Sequence, residues 1–192
     1  MSMPAHQPRP PAQVPVGASD RADGIVMGHG PVTVDAYLDF MCPYCRMFEQ
    51  SSGPVLDRLV ADGAISLVHH PMGFLDNLST TRYSTRAAAS SGCAADQGRF
   101  AEYARALFAE QPPEGGPGLG DDELIEVGRA AGLDEPDFGA CVRSGAYLDW
   151  TAYVTEAAIE RGVSATPTVL VAGTPVPANP QTILMAVRSA LA

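Results

Sequence analysis

The stretch Asp39–Gln50, "DFMCPYCRMFEQ", sets two cysteines with two residues between them where an alternating apolar run gives way to helical spacing. Three chemistries use such a pair: a metal clip, a structural bridge or a working dithiol. A structural zinc site calls for a second pair, or for histidine at short spacing. His69 and His70 are the only complement, and neighbours on a strand point to opposite faces, so they chelate together poorly. A structural bridge closing so short a loop removes little entropy from the unfolded chain. The dithiol reading has positive support. Cys42 sits where a helix begins, Pro43 suits the first helical position, and the unpaired backbone N–H groups there favour a thiolate. Cys45, a turn further in, is expected to be the more buried, resolving thiol.

Outward from the pair, "PVTVDAYLDF" at 31–40 alternates, which predicts a strand with Val32, Val34, Ala36, Leu38 and Phe40 on one face. Thr33, Asp35, Tyr37 and Asp39 take the other face. From Pro43 the spacing is helical, with Pro54 expected to bend or divide the helix. A turn at Asp62 and Gly63 leads into a second strand, "AISLVHHPM". Residues 79–163 then read as helical, interrupted by the loop "EQPPEGGPGLGDDEL". Its glycines lack the Lys-Ser or Lys-Thr of a phosphate loop and read as a flexible connector. The chain returns to strand character in "TPTVLVAGTPVPANP" and closes on the amphipathic "QTILMAVRSALA".

At 192 residues and 46% hydrophobic, the chain buries a core without needing disulfides to fold. A net charge of −10 argues against nucleic acid and anionic membrane surfaces as partners. No apolar run is long enough to span a bilayer. The opening segment, 1–24, is rich in proline and is expected to lack fixed structure. It has no apolar signal-peptide core, so the expected address is cytoplasmic, or extracytoplasmic if the sequence is part of a longer chain.

The order is strand, Cys-X-X-Cys helix, strand, helical block, strand hairpin, helix. With "CPYC" at a strand end and "SATPTVLV" at 164–171, it resembles the thioredoxin superfamily. Cys42 and Pro167 lie 125 positions apart, and that long helical excess resembles the DsbA-like branch of thiol–disulfide oxidoreductases. The resemblance implies an α/β thioredoxin fold over 25–78 and 164–192, with 79–163 an inserted all-helical subdomain. It also implies thiol–disulfide exchange on protein or small-molecule thiols, without cofactor or metal. Cys42 would be the nucleophile and Cys45 the resolving thiol. Thr166 and Pro167, at the place of the family's cis-proline, would present backbone to substrate. A glutathione-dependent, glutaredoxin-like reductase is one alternative, since "CPYC" also occurs there. A non-catalytic peptide-binding module is the other.

Several residues are placed around that site. Tyr44 and Met41 are expected at the rim against which substrate packs. Arg46, four positions after Cys42, shares its helix face and is either a solvated cation or a charge that steadies the thiolate. Many family members carry a buried acid six residues before the first cysteine, where this chain has Ala36. Asp39 is nearer but is expected on the opposite strand face. His69 and His70 read as ordinary strand residues. Cys93 and Cys141 lie 48 positions apart in the helical block. They are either two buried free thiols or, as in some DsbA-like proteins, a structural disulfide, which implies an oxidising compartment.

Overall fold

The computed structural model describes residues 7–192. A five-stranded sheet is built from β1 (Ile25–Met27), β2 (Val32–Leu38), β3 (Ile65–Pro71), β4 (Thr168–Val171) and β5 (Thr174–Val176). Its order is β1-β3-β2-β4-β5, with β2 parallel to β3 and every other pair antiparallel. Between β2 and β3 runs α1 (Pro43–Ala61), and α7 (Pro180–Leu191) closes the chain. Five helices separate β3 from β4: α2 (Tyr83–Asp96), α3 (Phe100–Ala109), α4 (Asp121–Ala130), α5 (Glu135–Ser144) and α6 (Leu148–Glu160).

The alternation in β2 survives as geometry, but beyond the exposed Thr33 neither face meets water. Val34, Ala36 and Leu38 pack with Phe48 and Leu56 of α1 and with Ile183 and Val187 of α7. Burying an Ile or Val side chain of this kind is worth about 1.5–3 kcal/mol. On the other face Tyr37 joins Met72, Ala158 and Val163, so α6 covers the sheet as well as completing the insertion. The strand ends at Leu38, two residues earlier than the alternation suggested, because Asp39–Cys42 turns: Cys42 N–H donates to Asp39 O at 3.0 Å.

α1 passes through Pro54 undivided. The proline removes only the N–H that the Gln50 carbonyl would have accepted. At the other end of the chain, Asn179 caps α7 by accepting the Thr182 N–H at 2.9 Å, with Pro180 in the first turn.

α2 is the axis of the helical block. Tyr83–Thr85 and Ala87–Ala95 along it are all buried, and the small residues from Ala87 onward let its neighbours approach closely. At Gly92 a Cβ would stand 2.9 Å from the Tyr147 ring, so no larger residue fits without moving that ring. Cys93 of α2 and Cys141 of α5 are joined in a disulfide.

The expectation of an unstructured opening segment needs correction over residues 7–24; Met1–His6 lie outside the described residues. Gln13 Nε2 donates to Ala146 O, Val16 N–H to Asp96 Oδ1, and Ala18 bridges to Ile25. Trp150 Nε1–H and Tyr153 O–H donate to the carbonyls of Ala22 and Arg21. Asp23 is 1% exposed, accepts from Ser19 Oγ at 2.7 Å and pairs with Arg161. Composition signals disorder when a segment has no apolar anchor of its own. Here the anchors are backbone groups, the Gln13 amide and one carboxylate, with partners 80 to 138 positions away.

Candidate active site

The turn after β2 carries the chemistry. Cys42 is the N-cap of α1, Pro43 follows it, and the Cys42 carbonyl accepts the N–H groups of Cys45 and Arg46 at 3.1 and 3.2 Å. Both thiols are free, and exposure falls from 4% at Cys42 to none at Cys45. The Thr166–Pro167 peptide is cis, and the Thr166 carbonyl oxygen lies 3.5 Å from Cys42 Sγ. Tyr44 projects into solvent at 69% exposure.

The two sulfurs are set apart electrostatically. Cys42 is brought down to about 6, chiefly because Cys45 S–H donates to its sulfur. Contact with Thr166 and the N–H groups of Cys45 and Tyr44 act the same way, against the cost of burial. Cys45 is pushed far above the ordinary thiol range, first by burial and then by its neighbour Cys42. One sulfur is therefore a thiolate near neutral pH and the other a thiol.

Four expectations about the surroundings change. Arg46 is not among the groups that lower Cys42; it lines a groove between α1 and α3 with Glu49, Arg105 and Phe108. Sharing a helix face brought it near Cys42 in register, but the stabilising hydrogens come from backbone and from Cys45. Met41 is fully buried and so is core, while Met47, at 60% exposure, is the methionine at the surface of α1. His69 and His70 are residues of β3, as expected, but both are buried and each packs against an aromatic ring. His70 stacks on Tyr37 with ring centroids 4.1 Å apart and binds Asp35 Oδ1 at 2.8 Å. His69 packs edge-on against Phe100, and burial holds it neutral, at about 3.

The fourth is Asp39. The alternation placed it on the face opposite the pair, but the strand has already ended, and its carboxylate turns inward with no exposure. Oδ1 accepts from Met41 N–H at 2.8 Å and from Ser84 O–H at 2.7 Å; Oδ2 accepts from Leu75 N–H at 2.8 Å. Its own N–H reaches Cys45 Sγ at 3.5 Å. Burial outweighs these donors and raises it to about 6, and the nearby Cys42 adds to the rise. Ala36, paired with His69 and Val169, does leave its position without a carboxylate. Asp39 restores a buried acid beside the thiols from three positions nearer. The available signal was an aspartate two residues before an N–H in a turn, the Asx pattern.

A direct pH prediction follows from the split. With the Cys93–Cys141 bridge intact, alkylation of the reduced protein should rise with a midpoint near pH 6 and modify Cys42 alone. A midpoint near 8.5, the ordinary thiol value, would mean that the turn does not stabilise the thiolate.

Residues 21–188 match the family model described as Thioredoxin. Reduced DsbA of Mycobacterium tuberculosis is similar at TM-score 0.78 and 31% identity, over 88% of this chain and 92% of that one. The reduced disulfide bond oxidoreductase DsbG of the same organism gives 0.75 and 32%, over 91% and 86%. The serine/threonine-protein kinase PknE of Mycobacterium tuberculosis is 36% identical over 135 residues, covering 66% of this chain. The chain spans 24% of the length of that curated relative.

Proposed function

The chain belongs to the thioredoxin family, in its DsbA-like branch, and from that premise we propose that it is a thiol–disulfide oxidoreductase whose working pair is Cys42 and Cys45. The observation that carries the reading is the polarity of the pair: a thiolate at the helix start and a buried thiol one turn inside. In oxidation of a substrate, a substrate thiolate attacks Cys42 Sγ of the disulfide, and Cys45 leaves as a thiolate that takes up a proton. A second substrate thiolate attacks the substrate sulfur of the mixed disulfide and expels Cys42 as its stabilised thiolate. The substrate loses two electrons and two protons; the protein takes both electrons and ends with Cys42 as thiolate and Cys45 as thiol, one proton going to Cys45 and the other to solvent. Thr166 and Pro167 border Cys42 where the substrate backbone would lie, with Tyr44 exposed beside it. The test is turnover: oxidation of a reduced, unfolded protein and reduction of insulin by dithiothreitol. A peptide-binding module with a permanently closed pair would accelerate neither.

Direction follows from the thiolate. A group whose folded pKa is depressed adds stability above its unfolded pKa and loses it as pH falls through the folded value. The reduced form therefore gains stability between about pH 6 and the ordinary thiol value near 8.5, and the disulfide gains nothing there. Asp39 opposes this, since its charge repels the thiolate, yet Cys42 still ends near 6. The reduced protein is expected to melt above the protein oxidised at Cys42–Cys45, with a gap that widens from pH 6 to 8.5. Both samples must keep Cys93–Cys141 closed. An oxidised form that melts higher would indicate a reductant.

The Cys93–Cys141 bridge supports work in an oxidising compartment, so the extracytoplasmic address is the one we carry forward. Fractionation with the protein confined to the cytoplasm, its bridge open, would overturn it.

A further inference from the structure

Gln111 follows α3 by two residues, in the helical insertion, yet both hydrogen bonds of its amide go to the active-site turn. Nε2 donates to Phe40 O at 2.8 Å and to Cys42 O at 3.0 Å. Those two carbonyls bracket the nucleophile. The peptide plane between residues 42 and 43 has no N–H, because Pro43 lacks one, so its carbonyl is the only backbone handle by which that plane is held. The plane between residues 40 and 41 is gripped at both ends: Gln111 holds its carbonyl and Asp39 Oδ1 its N–H. Phe108, in the last turn of α3, packs tilted against Phe40 with ring centroids 5.0 Å apart and gives the same joint an apolar half. The amide also sets the positive end of a dipole between two carbonyl oxygens that face the same turn as the sulfur.

We propose that Gln111 is a positioning residue for thiol exchange: by fixing the two peptide planes around Cys42 it makes the thiolate depend on the helical insertion being docked. The proposal rests on the function proposed above, with Cys42 as nucleophile. Undocking would leave the Phe40 carbonyl without its Gln111 donor and the Cys42 carbonyl with the helical N–H groups of Cys45 and Arg46 alone, loosening the plane whose carbonyl organises the first turn. The thiolate, and with it the reduced form, would lose stability. The insertion then acts on reactivity through a single side chain, besides whatever surface it offers to substrate.

The test replaces Gln111→Met, of similar length but without N–H groups, and Gln111→Glu, of the same shape with a charge in place of the donors. Gln97→Met is the control, since it breaks a link within the insertion, to Asp134, away from the thiols. The readouts are thiolate absorbance against pH, the equilibrium with a glutathione couple, and melting of both redox forms. Gln111→Met should raise the Cys42 midpoint by about half a unit or more, the scale of a lost neutral hydrogen bond. It should shift the glutathione equilibrium about threefold toward the disulfide form and lower the melting of the reduced protein more than that of the oxidised. Gln111→Glu should exceed it on every readout, and Gln97→Met should leave the midpoint in place. An unmoved midpoint, or equal melting losses in both forms, would reduce Gln111 to a structural tie and overturn the proposal. If Gln111→Met fails to fold, the midpoint of Gln111→Glu decides alone. Thiolate titration needs no turnover, so a wild-type protein that exchanges nothing would sink the proposed function without touching this result.

Discussion

Replacing Cys45 with Ala is expected to convert the protein from a catalyst into a trap. Cys42 would still attack a substrate disulfide, but no second thiol would expel the substrate from the mixed disulfide, so covalent complexes should accumulate. Replacing Cys42 with Ala should abolish them together with all turnover, because Cys45 is fully buried and held as a thiol. The two variants differ in outcome because the sulfurs differ in environment. Non-reducing gels of the variants mixed with a disulfide-bearing protein, followed by mass spectrometry, give the check. A Cys42→Ala protein that traps as much partner as Cys45→Ala would reverse the assignment of nucleophile and resolver.

The second large effect is on stability. The bridge between Cys93 and Cys141 closes a loop of 48 positions and fastens α2 to α5. In the chain-entropy account such a loop is worth about 4 kcal/mol, by restricting the unfolded chain. The Cys93→Ala, Cys141→Ala double variant should therefore melt roughly 8 to 16 °C lower, on the scale of two to four degrees per kcal/mol for a chain of this size. The Cys42 titration should be unchanged. Calorimetry of both proteins with the active-site pair in one redox state makes the comparison clean. A loss below about 1 kcal/mol would mean that the unfolded chain gains little freedom when the bridge is absent. Mass spectrometry of the unreduced, alkylated protein tests the premise. It should give one cross-linked pair of peptides, and two alkylated cysteines would remove it.

The two effects separate what the insertion does. Its disulfide and its small-residue axis hold the helices to one another, while Ser84 and Gln111 reach out of it to the turn that carries Cys42. Loss of the first kind of contact lowers stability in both redox states. Loss of the second shifts one redox state against the other.

Much of this protein is legible in its sequence because it is local. A strand that stops at "CPYC", a proline at the first helical position and apolar residues at helical spacing fix α1 and put Cys42 at its start. The unpaired N–H groups at that start follow from helix geometry, so the thiolate could be anticipated without knowing what packs around it. The helical character of the insertion and the presence of a second strand rest on the same short-range periodicity. What tertiary structure decided is the set of charges and donors that surround the sulfurs. Asp39 became a buried acid when Leu75 and Ser84, 36 and 45 positions away, closed over it. Gln111 reached the Cys42 carbonyl from 69 positions away, and Arg46, four positions from the thiol, went to another groove. The opening segment was ordered by partners in the insertion that its own composition could not announce. Periodicity reports which face of an element turns inward. Desolvation and hydrogen bonding depend on which atoms arrive from elsewhere to cover that face, and the chain specifies them only once it has folded.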